Sequence, residues 1–301
     1  MPESSMATPH GLKDTDWKTL ITRIQAQKCI PFIGAGLCKD YYLPKAKIAE
    51  KWADSEDYPF EDKKDLPRVA QFLEVKTEDK SIPIERLINE IVPNKLPNFK
   101  EESEPHRVLA KLPFPIYITT NCDNYMMDAL KVEQKDPKRM CCNWRDTTRP
   151  LDRVPNVANP VVFHLYGHTE EPNSLILTEE HYMRFLINVS KNPEETIPSQ
   201  IQGGLMGKSL LFLGYQVDDW DFRILLTFLD RFFESGLRGH KHVSAQLTPF
   251  DENATLSQRE RAQEHFNRYL AKNFNVSIYW GTCEEFAKEL LNRYRENEKG
   301  N

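Results

Sequence analysis

The segment 30–38, with the sequence IPFIGAGLC, constrains the fold of this chain more than any other stretch. An apolar run followed by glycines predicts a buried strand that ends in a tight turn. Glycine lets backbone N–H groups approach a phosphate closely, and a following helix N-terminus adds its positive dipole end. We therefore predict that Gly34, Ala35 and Gly36 bind a nucleotide phosphate. The turn alone is weak evidence, because Lys39 stands where the G-x-G-x-x-G pattern has its last glycine.

Three further segments repeat this pattern of an apolar strand followed by a polar turn. They are PIYITTNCD at 115–123, VVFHLYGH at 161–168 and LLFLGYQVDD at 210–219. The carboxyl ends of parallel strands lie at one edge of a sheet, and ligands bind there at the topological switch point. We therefore expect the four turns to converge on one crevice.

The order and spacing of these motifs resemble a known family. GAG, then T-T-N-x-D, then x-L-x-G, then L-F-L-G-Y-x-x-x-D-W-D-F-R are similar to the sirtuin-like, zinc-free NAD-hydrolysing domains of bacterial antiphage defence proteins. The resemblance extends from about Trp17 to the segment YWGTCEEFAKELLNRY at 279–294. It implies an NAD+ glycohydrolase that consumes NAD+ as substrate, needs no cofactor and depletes NAD+ as a defence effector. The alternative is a catalytically weak sensor or adaptor that binds NAD+ or ADP-ribose and signals through its oligomeric state.

The motif T-T-N-x-D supplies the main candidates for catalysis. The resemblance carries the family's catalytic asparagine onto Asn121, whose amide has the donor and the acceptor that a ribose hydroxyl or a water requires. An isolated asparagine in a turn is more often a turn former. Thr120 is grouped with the substrate-binding residues, and Asp123 is either a ribose ligand or the N-cap of a helix over 124–131.

The general base is the point where this sequence departs from the family's usual pattern. Many relatives have histidine directly before the glycine of L-H-G, whereas this chain has Tyr166 there. A tyrosine with a pKa of about 10 is a poor base at neutral pH. His164 would share a strand face with Tyr166, so we predict that His164 is the base and that Tyr166 lines the ribose pocket. His168 is the rival base, and a structural role is the alternative for each histidine.

The segment after the strand at 209–213 is expected to bind the adenosine side of NAD+. The candidates are Gly214, Tyr215 and Asp218, with Asp219 beside them. Both aspartates are equally suited to capping the helix that follows. Arg223 pairs either with pyrophosphate or, more commonly for such a residue, with a surface acid.

The alternation of strand and helix patterns predicts an α/β fold with a Rossmann-like, doubly wound parallel sheet. Further strands are predicted at 242–247 and 275–280. The helical region at about 40–112 interrupts this alternation, and we interpret it as a helical insertion that either covers the crevice or only packs on the sheet edge. We expect residues 1–15 to be a disordered tail and residues 16–298 to form one sirtuin-like Rossmann domain. The charged C-terminal run suits either a natural end or a cut before a further domain.

Composition excludes several classes of partner and site. The net charge of −5 argues against nucleic acid, and the lack of an apolar run of about 20 residues argues against a membrane span, so we expect a cytoplasmic protein. Zinc is not expected, because two cysteines are adjacent rather than spaced as C-x-x-C and no second pair exists. Protein-deacylating sirtuins carry a zinc module, and because it is missing here we do not expect deacylation of proteins.

One helix suggests assembly. The segment 220–233 is apolar over more than one stripe, and such a helix either lies deep in the fold or buries a face against another subunit. We predict a homo-oligomer. The resemblance implies control by assembly, by a regulatory domain or by a partner protein, because unregulated loss of NAD+ would kill the host cell.

Overall fold

A computed structural model of the chain describes residues 10–91, 95–146, 150–232, 237–247 and 254–300. The strands are β1 (Cys29–Ile33), β2 (Ile116–Thr119), β3 (Lys138–Cys141), β4 (Val161–His164), β5 (Ser209–Leu213), β6 (His242–Gln246) and β7 (Val276–Trp280). The α-helices are α1 (Asp14–Gln25), α2 (Lys45–Ser55), α3 (Leu66–Thr77), α4 (Ile82–Glu90), α5 (Pro105–Lys111), α6 (Tyr125–Val132), α7 (Glu179–Lys191), α8 (Pro193–Thr196), α9 (Ser199–Leu205), α10 (Trp220–Phe232), α11 (Leu256–Phe274) and α12 (Cys283–Gly300).

The strands form one parallel sheet of seven strands in the order β3-β4-β2-β1-β5-β6-β7. The strands β2, β4 and β3 lie on one side of β1, and β5, β6 and β7 lie on the other. The switch point therefore lies between β1 and β5. The predicted α/β, Rossmann-like parallel sheet is confirmed. The sequence prediction missed β3, a half-buried edge strand.

Helices cover both faces of the sheet, as a doubly wound fold requires. Along β1, Ile30 and Phe32 face one hydrophobic core, and Cys29 and Ile33 face the other. This alternation follows from the two-residue period of a strand. Helices α7, α9, α10 and α11 pack in the first core, and α1, α5, α6 and α12 pack in the second.

The apolar side chains of α10 pack within the fold of this chain. Phe222, Leu225, Leu226 and Leu229 are all buried in the first core. A helix packed this deeply needs no second subunit to cover these four side chains. Self-association therefore stays a prediction that this helix does not support. Within the described residues, no helix has both the length and the apolar character that a membrane span needs.

The helices between β1 and β2 divide into two groups. α2, α3 and α4 form a third hydrophobic core around Trp52, together with Leu175 and Leu177 from the segment after β4. α5 instead packs with α6 and α12 on the sheet. The region from about 40 to 112 is thus a three-helix unit followed by a helix that belongs to the sheet layer.

The predicted disordered tail is wrong for its last residues. Leu12 is buried in the second core, and α1 already begins at Asp14. The main chain of His10 is also fixed, because its carbonyl accepts a hydrogen bond from the Trp280 N–H at 2.8 Å. Residues 1–9 of that tail lie outside the described residues.

Candidate active site

A cleft of about 710 Å³ opens at the carboxyl edge of the sheet, beside the switch point. All four predicted turns contribute to its wall, as does the three-helix unit. The residues predicted from sequence that line it are Ala35, Gly36, Thr120, Asn121, Asp123, Tyr166, Gly214 and Tyr215. Its volume is within the range of small-molecule and cofactor sites. The three-helix unit therefore forms a wall of the cleft rather than only packing on the sheet edge.

The glycine turn has a different local role from the predicted one. The Gly34 N–H donates to the Leu213 carbonyl and the Gly36 N–H donates to the Gly214 carbonyl, both at 2.8 Å. A Cβ atom on Gly34 would lie only 2.6 Å from the Gly214 oxygen. These glycines let the turns after β1 and β5 touch each other, and their own amides are already bonded. Gly34 is not among the residues that line the cleft, and its predicted phosphate contact stays a prediction.

Asn121 is held from both ends. Its side-chain Nδ2 donates to the Gly34 carbonyl at 3.1 Å and approaches the Cys38 Sγ at 3.3 Å. Its main-chain oxygen accepts from the His164 Nδ1 at 2.8 Å. Among the described contacts, no hydrogen bond engages Oδ1 of Asn121. The amide oxygen of Asn121 is thus available to a ligand in the cleft, while the amide nitrogen is anchored.

Asp123 and Thr120 of the motif T-T-N-x-D have structural contacts as well. Asp123 Oδ1 accepts from the Tyr125 N–H at 2.9 Å, which is the first residue of α6. The N-cap of α6 is Asn124, so Asp123 precedes the cap that was predicted for it. Its other oxygen, Oδ2, accepts from the Cys38 Sγ at 3.5 Å, and a ligand role for Asp123 stays a prediction. Thr120 Oγ1 donates to the Tyr215 hydroxyl at 3.3 Å, which joins the turns after β2 and β5.

His164 does not line the cleft, contrary to its predicted presentation there. The side chain is 1% exposed, and burial lowers its pKa to about 3. Because a carbonyl only accepts, the proton of the bond to Asn121 lies on Nδ1, and Nε2 is the basic nitrogen. That Nε2 is buried without a hydrogen-bond partner. In this arrangement His164 supports Asn121 and does not reach the cleft.

Tyr166 and His168, which follow His164 in the motif, differ in whether they line the cleft. Tyr166 lines the cleft, with its ring packed edge-on against Tyr182 and Phe185. His168 is fully buried, and its Nδ1 accepts a hydrogen bond from the Glu170 N–H at 3.0 Å. The chain turns sharply between them at Gly167, which has a φ of +86°. The structure therefore brings only the tyrosine of this trio to the cleft.

On the far side of the switch point, the two aspartates differ. Asp219 lines the cleft, whereas Asp218 does not, and the ligand role of Asp218 stays a prediction. The Arg223 side chain bonds the Val217 carbonyl at 3.4 Å and lies over the Phe266 ring. The arginine meets neither an acid nor the cleft in these contacts.

Several cleft residues were not predicted, because they come from the helical region between β1 and β2. They include Tyr42 and the charged residues Lys39, Lys45, Asp62, Lys64 and Asp65. Their spacing in the sequence follows helix and loop geometry and carries no motif. Cys38, Cys122 and Cys283 also line the cleft and are free thiols. Within the described residues, no three His, Cys, Asp or Glu side chains are grouped as metal ligands.

The buried histidine makes the fold sensitive to acid. The pKa of His164 is about 3 in the fold and about 6.5 when unfolded, so the unfolded chain binds more protons between these values. The stabilisation is complete above pH 6.5 and is lost as the pH falls. We expect His164 to account for a loss of roughly 2 kcal/mol between pH 7 and pH 5. Urea titrations measure the free energy of unfolding at each pH, and His164→Gln should lack this loss between pH 7 and pH 5. An identical pH dependence in the parent and the variant would contradict the prediction.

Comparison with known proteins finds a family model that matches this chain. The model of the SIR2-like domain family matches residues 115–278. A solved structure described as "Structural Basis for the Mechanism and Regulation of Sir2 Enzymes" shares 12% identity at a TM-score of 0.44, covering 96% of this chain and 100% of that one.

Curated relatives are named NAD(+) hydrolase ThsA. The protein of Bacillus cereus (strain MSX-D12) is 25% identical over 94% of this chain and 57% of its own length. That of Acinetobacter baumannii (strain 532279) is 22% identical over 92% of this chain and 55% of its own length. That of Enterococcus faecium is 26% identical over 85% of this chain and 52% of its own length. The chain thus spans about half the length of these relatives.

Proposed function

Because the chain belongs to the SIR2-like domain family, we propose that it is an NAD+ glycohydrolase that cleaves NAD+ to nicotinamide and ADP-ribose. The names of the relatives and the cleft at the switch point support this proposal. The observation that carries it is the anchored Asn121 amide, which leaves Oδ1 available to a ribose hydroxyl. In the cell, depletion of NAD+ would serve antiphage defence. NAD+ is consumed as the substrate, and no metal or resident cofactor is part of the proposal.

Cleavage of NAD+ depends more on the positioning of the ribose and the water than on a strong base. The bond between nicotinamide and the ribose breaks with its electron pair leaving on nicotinamide, and an oxocarbenium-like sugar remains. Water adds to this cation and then releases one proton. Asn121 would orient a ribose hydroxyl or the water, and the Asp123 carboxylate would offset the positive charge of the sugar. Ala35, Gly36, Thr120, Tyr166, Gly214 and Tyr215 would shape the remainder of the binding site.

We assign His164 to positioning, in place of the general-base role expected from sequence. Its bond to the Asn121 carbonyl fixes the main chain that carries the amide. Since the pKa of about 3 keeps the imidazole neutral, nicotinamide release should show no His164 step between pH 5.5 and pH 8. His164→Gln retains a donor and is expected to lose less than ~10-fold in rate, against the ~10²- to 10⁴-fold typical of a lost base. A step near pH 6–7 that disappears in this variant would restore His164 as the base.

A second candidate function is a sensor that binds NAD+ or ADP-ribose without efficient cleavage. Tyr166 in the cleft, where many relatives have histidine, favours this alternative. The test is to measure NAD+ binding by calorimetry and nicotinamide release on the same preparation. Binding with release supports the hydrolase, and binding without release supports the sensor. An added arm with an acetylated lysine peptide tests our proposal that the chain is no deacylase, which an acetylated ADP-ribose product would refute.

Regulation belongs to the same proposal. A hydrolase that depletes NAD+ must be held inactive until triggered, through assembly into a homo-oligomer, a regulatory domain or a partner protein. Light scattering with and without NAD+ tests assembly, and a monomer under both conditions would leave the other two routes. We also propose that the protein acts in the cytoplasm, where NAD+ is available as its substrate.

A further inference from the structure

The thiol of Cys38 contacts the two polar residues at the centre of the cleft. Its Sγ lies 3.3 Å from the Asn121 Nδ2 and 3.5 Å from the Asp123 Oδ2. Cys38 is 2% exposed and still lines the cleft. One side chain therefore bonds both the amide and the carboxylate of the motif T-T-N-x-D.

A buried acid and histidine support the thiol from behind. The His106 Nε2 lies 3.8 Å from the Cys38 Sγ, and the His106 Nδ1 bonds the Glu104 Oε1 at 2.7 Å. Glu104 and His106 are 5% and 1% exposed. The second oxygen of Glu104 accepts from the Arg107 N–H at 2.7 Å at the start of α5. These contacts form a series that runs from Glu104 through His106 and Cys38 to Asn121.

The state of the thiol determines what it does in this arrangement. Burial, followed by the nearby Asp123 carboxylate, raises the pKa of Cys38 well above its usual value, so that the sulfur stays protonated at neutral pH. A protonated, buried thiol is a poor nucleophile. It is also a donor toward the Asp123 carboxylate and an acceptor for the Asn121 amide. The geometry and the charge state both favour alignment over covalent catalysis.

We propose that Cys38 is a positioning residue for NAD+ cleavage, which aligns the Asn121 amide and the Asp123 carboxylate and is itself held by the pair His106 and Glu104. This inference rests on the proposed function. By bonding Nδ2, the thiol fixes which end of the Asn121 amide faces the ligand, because Oδ1 must then point away from the sulfur. Without it, Nδ2 keeps only the Gly34 carbonyl, and the amide gains freedom to rotate.

The test compares Cys38→Ala, Cys38→Ser and Cys29→Ala. Cys29 is a fully buried thiol in the same core, located on β1 at the start of the strand, away from the cleft. We expect Cys38→Ala to lower kcat by roughly 10- to 100-fold with little change in KM, because misplaced groups lose rate in the transition state. Serine keeps a donor and an acceptor and should restore kcat to within about 5-fold of the parent. Thermal melting of each variant reports the folded fraction.

The outcomes separate this inference from the proposed function. A parent protein without NAD+ cleavage overturns the function. A cleaving parent whose Cys38→Ala variant keeps its kcat, or loses it only as far as Cys29→Ala does, overturns the positioning role. A serine variant as slow as the alanine variant would also overturn it, because volume rather than hydrogen bonding would then be what Cys38 supplies. His106→Gln should lower kcat less than Cys38→Ala, since His106 acts only through the thiol.

Discussion

Replacing Asn121 with alanine is expected to lower nicotinamide release by ~10²- to 10⁴-fold while the protein stays folded. The reason is local: the side chain contributes an amide oxygen to the cleft, and its nitrogen is already bonded to the Gly34 carbonyl and the Cys38 Sγ. Alanine removes the group that orients the ribose or the water and leaves the turn after β2 in place. The measurement is the rate of nicotinamide release at saturating NAD+, together with the melting temperature.

Asn124→Ala is the matched control for this variant. Asn124 lies three residues later in the same turn, and its amide bonds Glu170 outside the cleft. We expect it to keep the parental rate within a few fold. Equal rates in Asn121→Ala and the parent would contradict the catalytic role of Asn121, and equal losses in both variants would indicate damage to the turn rather than to the chemistry.

Gly34→Ala is expected to have the largest effect on stability, about 3 kcal/mol, with weaker NAD+ binding in the folded fraction. A methyl group there would lie 2.6 Å from the Gly214 carbonyl oxygen and 3.0 Å from the Tyr215 ring. The nearest atom belongs to the backbone of a neighbouring strand end, so it has little freedom to move. The turns after β1 and β5 must separate, and they form the wall of the cleft at the switch point.

Gly203→Ala serves as the control for this glycine. Gly203 lies within α9, and a Cβ added there meets nothing within 4 Å. Alanine is the better helix former, so stability should hold or rise by up to ~1 kcal/mol. Urea denaturation measures both variants. If Gly34→Ala were as stable as Gly203→Ala and bound NAD+ like the parent, the close packing of the two turns would have no structural importance.

The parallel sheet was predictable because its central strands are short, continuous apolar runs, each followed by a turn signal. β3 was not predictable by the same rule. Its sequence KRMC is charged, and as an edge strand it is only half buried, with Lys138 bonded to Asp152 and Arg139 to Glu170. Pairing with β4 makes it a strand, and this tertiary contact leaves no period in the sequence.

The convergence of four turns was also predictable, because parallel topology puts the carboxyl ends of strands at one edge. The direction of individual side chains was not. His164 and Tyr166 are two residues apart, but β4 ends at His164 and the chain turns at Gly167, so the strand period does not extend to Tyr166. The contacts of Cys38 with His106 join segments 68 residues apart, and no local pattern indicates them.

For Gly34 and Gly36, the sequence predicted a close approach of the backbone but not the partner that approaches. The sequence identified Gly34 and Gly36 as positions where backbone must come close to something, on the model of a phosphate. In the fold, the close partner is the turn at Gly214, whose φ of +78° and carbonyl complete the contact. Glycine marks a close approach in either case, and only the fold tells which partner approaches.

The most direct test of the account is to incubate the purified chain with NAD+ and to quantify NAD+, nicotinamide and ADP-ribose by chromatography, alongside Asn121→Ala. The account predicts that the parent releases one nicotinamide and one ADP-ribose for each NAD+ lost, and that the variant releases almost none over the same time. A parent protein that binds NAD+ and leaves it intact at every protein concentration tested would contradict the hydrolase and support the sensor.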